Sequence, residues 1–210
     1  MFEPQLNDKG NSPEMQPLKM GDTFDNQASL EDYSGSLYTK GHLAPKQHQG
    51  TIDDKLATYT LTNIVPQRGD SNAGTWNNLE KEISMRKGSC TGTMHVITGI
   101  IPFESDSTAP QNIKKMKNKV FAPEYMWSAY CCTAFKSDLS KMDEEFFPTY
   151  AAVGRNYPDS TDDIVPKDTS VKGTKSGYDV KKMSLKDLED ILRKKLNKEI
   201  TLFHKDCKAN

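Results

Sequence analysis

Between Thr39 and Glu80 the chain sets a histidine, a strand-like run, an Asn-rich turn and a helix start in fixed order, and that order limits what can be built around it. The segments are Thr39-Lys40-Gly41-His42-Leu43-Ala44-Pro45, then Thr60-Leu61-Thr62-Asn63-Ile64-Val65-Pro66-Gln67, then Asn72-Ala73-Gly74-Thr75-Trp76-Asn77-Asn78-Leu79-Glu80. Residues 57–62 alternate small or apolar side chains with hydroxyl side chains and read as a strand. Gly69-Asp70-Ser71-Asn72 reads as a turn ending in good helix caps, after which Trp76, Leu79 and Ile83 recur at helical spacing until Gly88. A histidine able to take a proton near neutral pH, beside an amide oxygen suited to a hard cation, fits metal-assisted cleavage of a phosphodiester.

The remainder of the chain supplies a core for this motif. Residues 93–102 are β-branched, closed by Pro102, and read as the clearest buried strand. Residues 126–135 read as a second strand and residues 147–153 as a short third. Residues 30–38 read as a turn leading into the histidine motif, 104–119 as a loop, and 155–177 as a long surface loop. A last helix starts at Ser184 with Asp187 as its capping partner, and Leu185, Leu188, Ile191, Leu192 and Leu196 form its apolar face. The expected fold is α+β, with mainly antiparallel strands flanked by the motif helix and a C-terminal helix. Residues 1–28 read as an irregular arm and 29–207 as one domain.

Charge decides less than its placement. The formal net charge is −1, so binding of nucleic acid through bulk charge is excluded and any phosphate-binding surface is a local patch. The basic runs at 114–119 and 193–198 are candidates, though runs of this kind usually serve as solvated faces. The first twenty residues are polar and include Glu3, Asp8 and Glu14, reading as neither a signal peptide nor a membrane anchor; no later stretch is long enough to span a bilayer, and no membrane partner is expected. Four cysteines, Cys90, Cys131, Cys132 and Cys207, have no metal spacing and allow three pairings. Neighbouring Cys131 and Cys132 should each reach a distant partner, one of them Cys207; buried free thiols are the alternative.

Within the motif, His42 suits a general base, Lys40 a positive charge for a phosphate oxygen, and Gly41 a tight backbone turn. Asn72 offers a carbonyl oxygen to Mg²⁺, which keeps several waters and accepts few protein ligands; Mn²⁺ is a possible substitute. Glu80 lies two helical turns on and suits holding water around the cation. Asn63 is placed to orient the histidine loop, and Gln67 is a candidate for substrate contact. Trp76 and His95 read as core, His48 as an exposed turn residue, and His204 carries no signal. Arg68-Gly69-Asp70 spells an adhesion tripeptide, but its residues are ordinary in a turn. Zinc chemistry lacks a third ligand at recognisable spacing from His42 and His48.

His42, Asn63 and the Asn72…Trp76…Glu80 set resemble the DNA/RNA non-specific endonucleases, which carry a ββα-metal finger. The segments 96–102 and 123–132 and the Leu-rich terminal helix are similar to the vertebrate endonuclease domain-containing 1 group. The resemblance implies His42 as base, Asn72 as the direct Mg²⁺ ligand, Glu80 as a holder of water and Asn63 as a supporting residue. It implies DNA and RNA as substrates with little sequence preference, in a secreted, disulfide-bonded setting. Thr39 and Lys40 stand where the family has Asp and Arg, and lysine lacks the planar fork that grips phosphate twice. Family members also carry N-terminal strands, with a further site arginine, before a stretch resembling Met1–Leu6. These departures favour a second reading, a catalytically weak or inactive secreted protein that holds nucleic acid or a protein partner. A purely adhesive extracellular protein is a third.

Overall fold

The computed structural model describes residues 27–105, 107–161, 163–203 and 207. The arm expected at the N-terminus and His204 therefore lie outside the described residues. Along the chain, helix α1 (Leu30–Tyr33) precedes strand β1 (Tyr38–His42), helix α2 (Ile52–Ala57), strand β2 (Ile64–Arg68) and helix α3 (Trp76–Lys87). Then come β3 (Met94–Pro102), α4 (Gln111–Lys114), β4 (Lys115–Met116), β5 (Val120–Phe121), β6 (Pro123–Cys132), α5 (Lys141–Glu144), β7 (Thr149–Arg155), β8 (Val180–Met183) and α6 (Leu185–Leu196).

The core is one antiparallel sheet, ordered β3-β6-β7-β8, with a helix on each face. Alternation along β6 makes this possible, because successive side chains point to opposite faces of a sheet. Tyr125, Trp127, Ala129 and Cys131 pack with Leu188 and Leu192 of α6 on one side. Met126 and Tyr130 pack with Trp76, Leu79 and Ile83 of α3 on the other. A strand covered on both faces must be bulky throughout, and every β6 residue except Glu124 is buried. Ser184 caps α6 as its sequence implies, its hydroxyl accepting from Asp187 N at 3.1 Å and donating to the Asp187 carboxylate at 2.7 Å.

Two disulfides lock this arrangement. Cys90, just beyond α3, bonds Cys132, and Cys131 bonds Cys207 beyond α6. The loops they close span 42 and 76 residues, each worth about 4 kcal/mol of lost freedom in the unfolded chain on an entropic account.

Several expectations give way to the structure. Residues 57–62 form no strand: α2 ends at Ala57 and a 3₁₀ turn covers Leu61–Asn63. Thr51 caps α2, its hydroxyl accepting from Asp54 N at 3.1 Å, and the Thr58 hydroxyl bonds back to Lys55 O at 2.8 Å. Hydroxyl residues that satisfy nearby backbone compete with a sheet ladder, and here they win. Residues 104–119 contain α4 and one strand of the β4–β5 ribbon rather than loop alone. The histidine motif is itself a strand. His95 is exposed rather than core, because β3 lies at the edge of the sheet and turns that side chain to solvent.

Both basic runs are engaged by neighbouring groups. Lys119 pairs with Asp32 at 3.0 Å and Lys117 reaches Glu31 O at 2.5 Å. Arg193 pairs with Asp190 and Glu199, and Lys195 with Glu104 and Asp163. Among the described residues, no helix is long and apolar enough to cross a membrane.

Candidate functional site

The site grows from a small antiparallel pair, β1 with β2, set beside the N-terminal end of α3. Thr39 faces Gln67, Gly41 faces Val65 and His42 faces Ile64. Asn156, at the end of β7, docks this pair on the central sheet. Its Oδ1 accepts from Arg68 N at 2.8 Å, and its Nδ2 donates to Pro66 O at 3.0 Å and Pro123 O at 2.8 Å. One buried amide thus satisfies backbone groups from β2 and β6 together.

Gly41 is required by packing rather than by a turn. A Cβ there would stand 2.3 Å from Gln67 Oε1 and 2.6 Å from Gln67 Cβ. Gln67 itself is fully buried and donates to Ser71 Oγ at 3.0 Å. It supports β1 from beneath, and the expectation that it meets substrate is corrected: burial takes it away from the surface.

His42 is half-buried at the end of β1. Burial, and secondarily the Lys46 ammonium, lower its pKa below the ordinary imidazole value. Its Nε2 is buried and makes no protein hydrogen bond among the described residues. The Tyr59 ring meets it edge-on, centroids 5.4 Å apart. Asn63 clamps the loop that follows, its Oδ1 accepting from Ala44 N at 2.9 Å and its Nδ2 donating to Ala44 O and Thr58 O, each at 3.0 Å.

Asn72 sits in a wide turn, Ser71–Thr75, that leads into α3, with Gly74 off helical geometry at φ −110° and ψ −114°. It therefore does not share one continuous α-helix with Glu80, although both reach the same cavity. Its Nδ2 donates to Thr39 Oγ1 at 3.0 Å and Lys40 O at 3.4 Å. That commits the amide nitrogen to β1 and leaves the carbonyl oxygen as the atom on offer. Thr39, which also donates to Gln67 O at 2.8 Å, is therefore an orienting residue that sequence reasoning treated only as a departure from a pattern.

Glu80 is largely buried, and burial pushes its carboxyl up to about 7 against the opposing hydrogen bond from Gln47 and the nearby Trp76 indole. Gln47 Nε2 donates to it at 2.9 Å. His48 Nε2 lies 3.0 Å from Glu80 O, so His48 packs on α3 rather than standing exposed. Sequence reasoning passed over Gln47 and read His48 as an exposed turn residue, because the only signal of their place is proximity to a helix more than thirty residues away.

His42, Asn72 and Glu80 converge on a cavity of about 500 Å³ that Lys46, Gln47, Lys55 and Asn77 also line. Lys40 lies on a neighbouring cavity with His42 and Asn72, its ammonium exposed. Asn63 opens instead onto the far side of the loop. Among the described residues, no three His, Cys, Asp or Glu side chains group to hold a metal, which suits zinc poorly. An amide carbonyl with a carboxylate beyond it fits a hard cation that keeps most of its own water. The buried, unpartnered imidazole nitrogen fits a water molecule beside such a cation.

The profile of the DNA/RNA non-specific endonucleases matches residues 16–163. A nuclease of Nostoc sp. is 49% identical over 49 residues, 23% of this chain and 18% of that protein. The human endonuclease domain-containing 1 protein is 30% identical over 110 residues, 50% of this chain and 20% of that protein. A solved EndoG/EndoGI complex aligns with a TM-score of 0.49 at 22% identity, covering 64% of this chain and 54% of that one. The chain thus covers about a fifth of the length of these two curated relatives.

Proposed function

Because the chain belongs to the DNA/RNA non-specific endonuclease family, we propose that it hydrolyses phosphodiester bonds of DNA and RNA, with little sequence specificity, at the site around His42. The observation that carries this reading is the shared wall: His42 and Asn72 line two cavities in common, so a phosphate on that wall meets an imidazole and an amide oxygen together.

His42 takes a proton from the attacking water. Burial, with the Lys46 ammonium, favours the neutral ring, the form a base requires. Asn63 holds the loop after His42 and thereby the ring's direction. Asn72 would hold Mg²⁺ or Mn²⁺ through Oδ1, with Thr39 fixing the amide and Glu80 retaining water nearby. A cation bound there would supply positive charge to the phosphate oxygens and to the departing 3′ oxygen. Lys40 adds a point charge at a phosphate oxygen without the two-pronged grip of an arginine. The two disulfides, and the likeness to the endonuclease domain-containing 1 protein, support a secreted, oxidising setting.

Cleavage of a fluorescent DNA tests the reading. Activity should need Mg²⁺ or Mn²⁺, vanish with EDTA, and fall by about 10²-fold or more in His42→Ala, the usual worth of acid–base help. Full activity in that variant rejects it. The exposed Lys40, without an arginine's planar fork, favours a second reading, a protein that binds nucleic acid without cutting; tight binding with no cleavage in Mg²⁺, Mn²⁺ or Ca²⁺ would establish that instead.

A further inference from the structure

His42 and Asn72 stand on the wall between two cavities of opposite chemistry. One is polar and charged, with Lys46, Lys55 and Glu80, and the reaction above uses it. The other, about 510 Å³, opposes Leu30, Tyr59, Leu61 and Ile64 to Lys40 and the shared wall. Hydrolysis uses Lys40 and the shared wall but gives the apolar side of this space no task. Yet Leu30 and Tyr59 keep 58% and 57% of their surface in water beside the site, an unfavourable exposure for such side chains. The Tyr59 ring touches His42 edge-on, and Lys46 Nζ lies 5.3 Å from its centroid. An aromatic ring and an aliphatic wall, with ammonium groups at the rim for flanking phosphates, are the parts that hold an unstacked nucleobase. The volume falls within the range of about 300–1,000 Å³ usual for small-molecule pockets.

We infer that this cavity receives a base of the nucleotide next to the scissile phosphate. Preferred substrates are then single strands, loops and ends, because a paired, stacked base enters only after extrusion from the helix. The inference rests on the phosphodiester reading for its catalytic consequence, but base binding stands on the cavity alone.

The test uses single strands with one cleavable linkage between resistant phosphorothioates, either intact or abasic on one side of that linkage. The wild-type protein should cut one of the two abasic strands at least about fivefold more slowly than the intact strand, the lower end of what stacking contributes per base. In Tyr59→Ala the intact and abasic strands should be cut at equal rates. Leu30→Ser, on the opposite wall, should equalise them too, and it decides the matter if Tyr59→Ala does not fold. An abasic site without effect on either side overturns the inference. So does a Tyr59→Ala variant that slows both strands by the same factor, because the ring would then act only through His42.

A binding arm in EDTA, with a 2-aminopurine single strand, separates the two readings. A Tyr59-dependent fluorescence change in a protein that cuts nothing retains the base site and rejects the nuclease. Cleavage with no such change and no abasic effect retains the nuclease and rejects the base site.

Discussion

Gly41→Ala is the smallest change that should disable the site without touching a reactive group. The added methyl would meet Gln67 Oε1 at 2.3 Å, Cβ at 2.6 Å and Cδ at 3.1 Å. The amide oxygen can swing away, but Cβ is fixed to the β2 backbone, so β1 and β2 must part by several tenths of an ångström. Overpacking of this kind costs about 1–3 kcal/mol, and a contact with a fixed atom belongs at the upper end. For a domain of this size, roughly 2–4 °C of Tm follows each kcal/mol, giving a fall of about 4–12 °C. Activity should drop further than stability does. His42 is the next residue, and a misplacement of about 1 Å can cost ~10²-fold in rate. Urea unfolding at constant m reads the stability change. The decisive comparison is with partner variants. Gln67→Gly removes all three contact atoms and should make the double variant less destabilised than the sum of the singles, by about 1–2 kcal/mol. Gln67→Ala keeps Cβ and should rescue less. Additivity within ~0.5 kcal/mol would refute the packing explanation for Gly41.

Two further outcomes follow from the same geometry. Glu80 is held at about 7 by burial, above its ordinary 4.5, so the fold favours its protonated form. In EDTA the penalty is absent below pH 4.5, grows as pH rises and is complete above 7; it is worth roughly 3 kcal/mol from the displacement between those values. Glu80→Gln should remove that slope, and a wild-type-minus-variant stability difference equal at pH 5 and pH 8 would contradict it. Asn156→Ala should leave Arg68 N and the carbonyls of Pro66 and Pro123 without their partner, at about 1–3 kcal/mol for each group left unmade. Hydrogen exchange at the Arg68 amide should accelerate, and unchanged protection there would show that the β1–β2 pair is docked by other contacts.

The candidate site was legible where it rests on residue type and close spacing. His42, Asn72 and Glu80 stand out by side-chain type alone, and the three line one cavity. The reasons behind them were not legible. Gly41 looks like a turn residue until Gln67, 26 positions on, is found beneath it. Tyr59 was hidden by an alternation that mimics a strand, although the neighbouring Thr58 hydroxyl bonds the backbone of the preceding helix. Gln47 meets Glu80 across 33 residues, a distance at which local pattern carries no information. The core fared better: a fully covered strand such as β6 must be bulky along its length, and a capped amphipathic helix such as α6 advertises its buried face.

The neighbouring cysteines on β6 also bear on how the chain reaches its native state in an oxidising medium. Because the two thiols leave the strand in opposite directions, Cys132 is available to Cys90 from one side and Cys131 to Cys207 from the other. A swapped pair would require β6 to shift by one position, throwing Trp127 and Tyr130 to the wrong helices and misfitting the packing on both covered faces. Shuffled isomers are thereby penalised by the sheet as a whole, and oxidative folding proofreads itself against the register of a single strand.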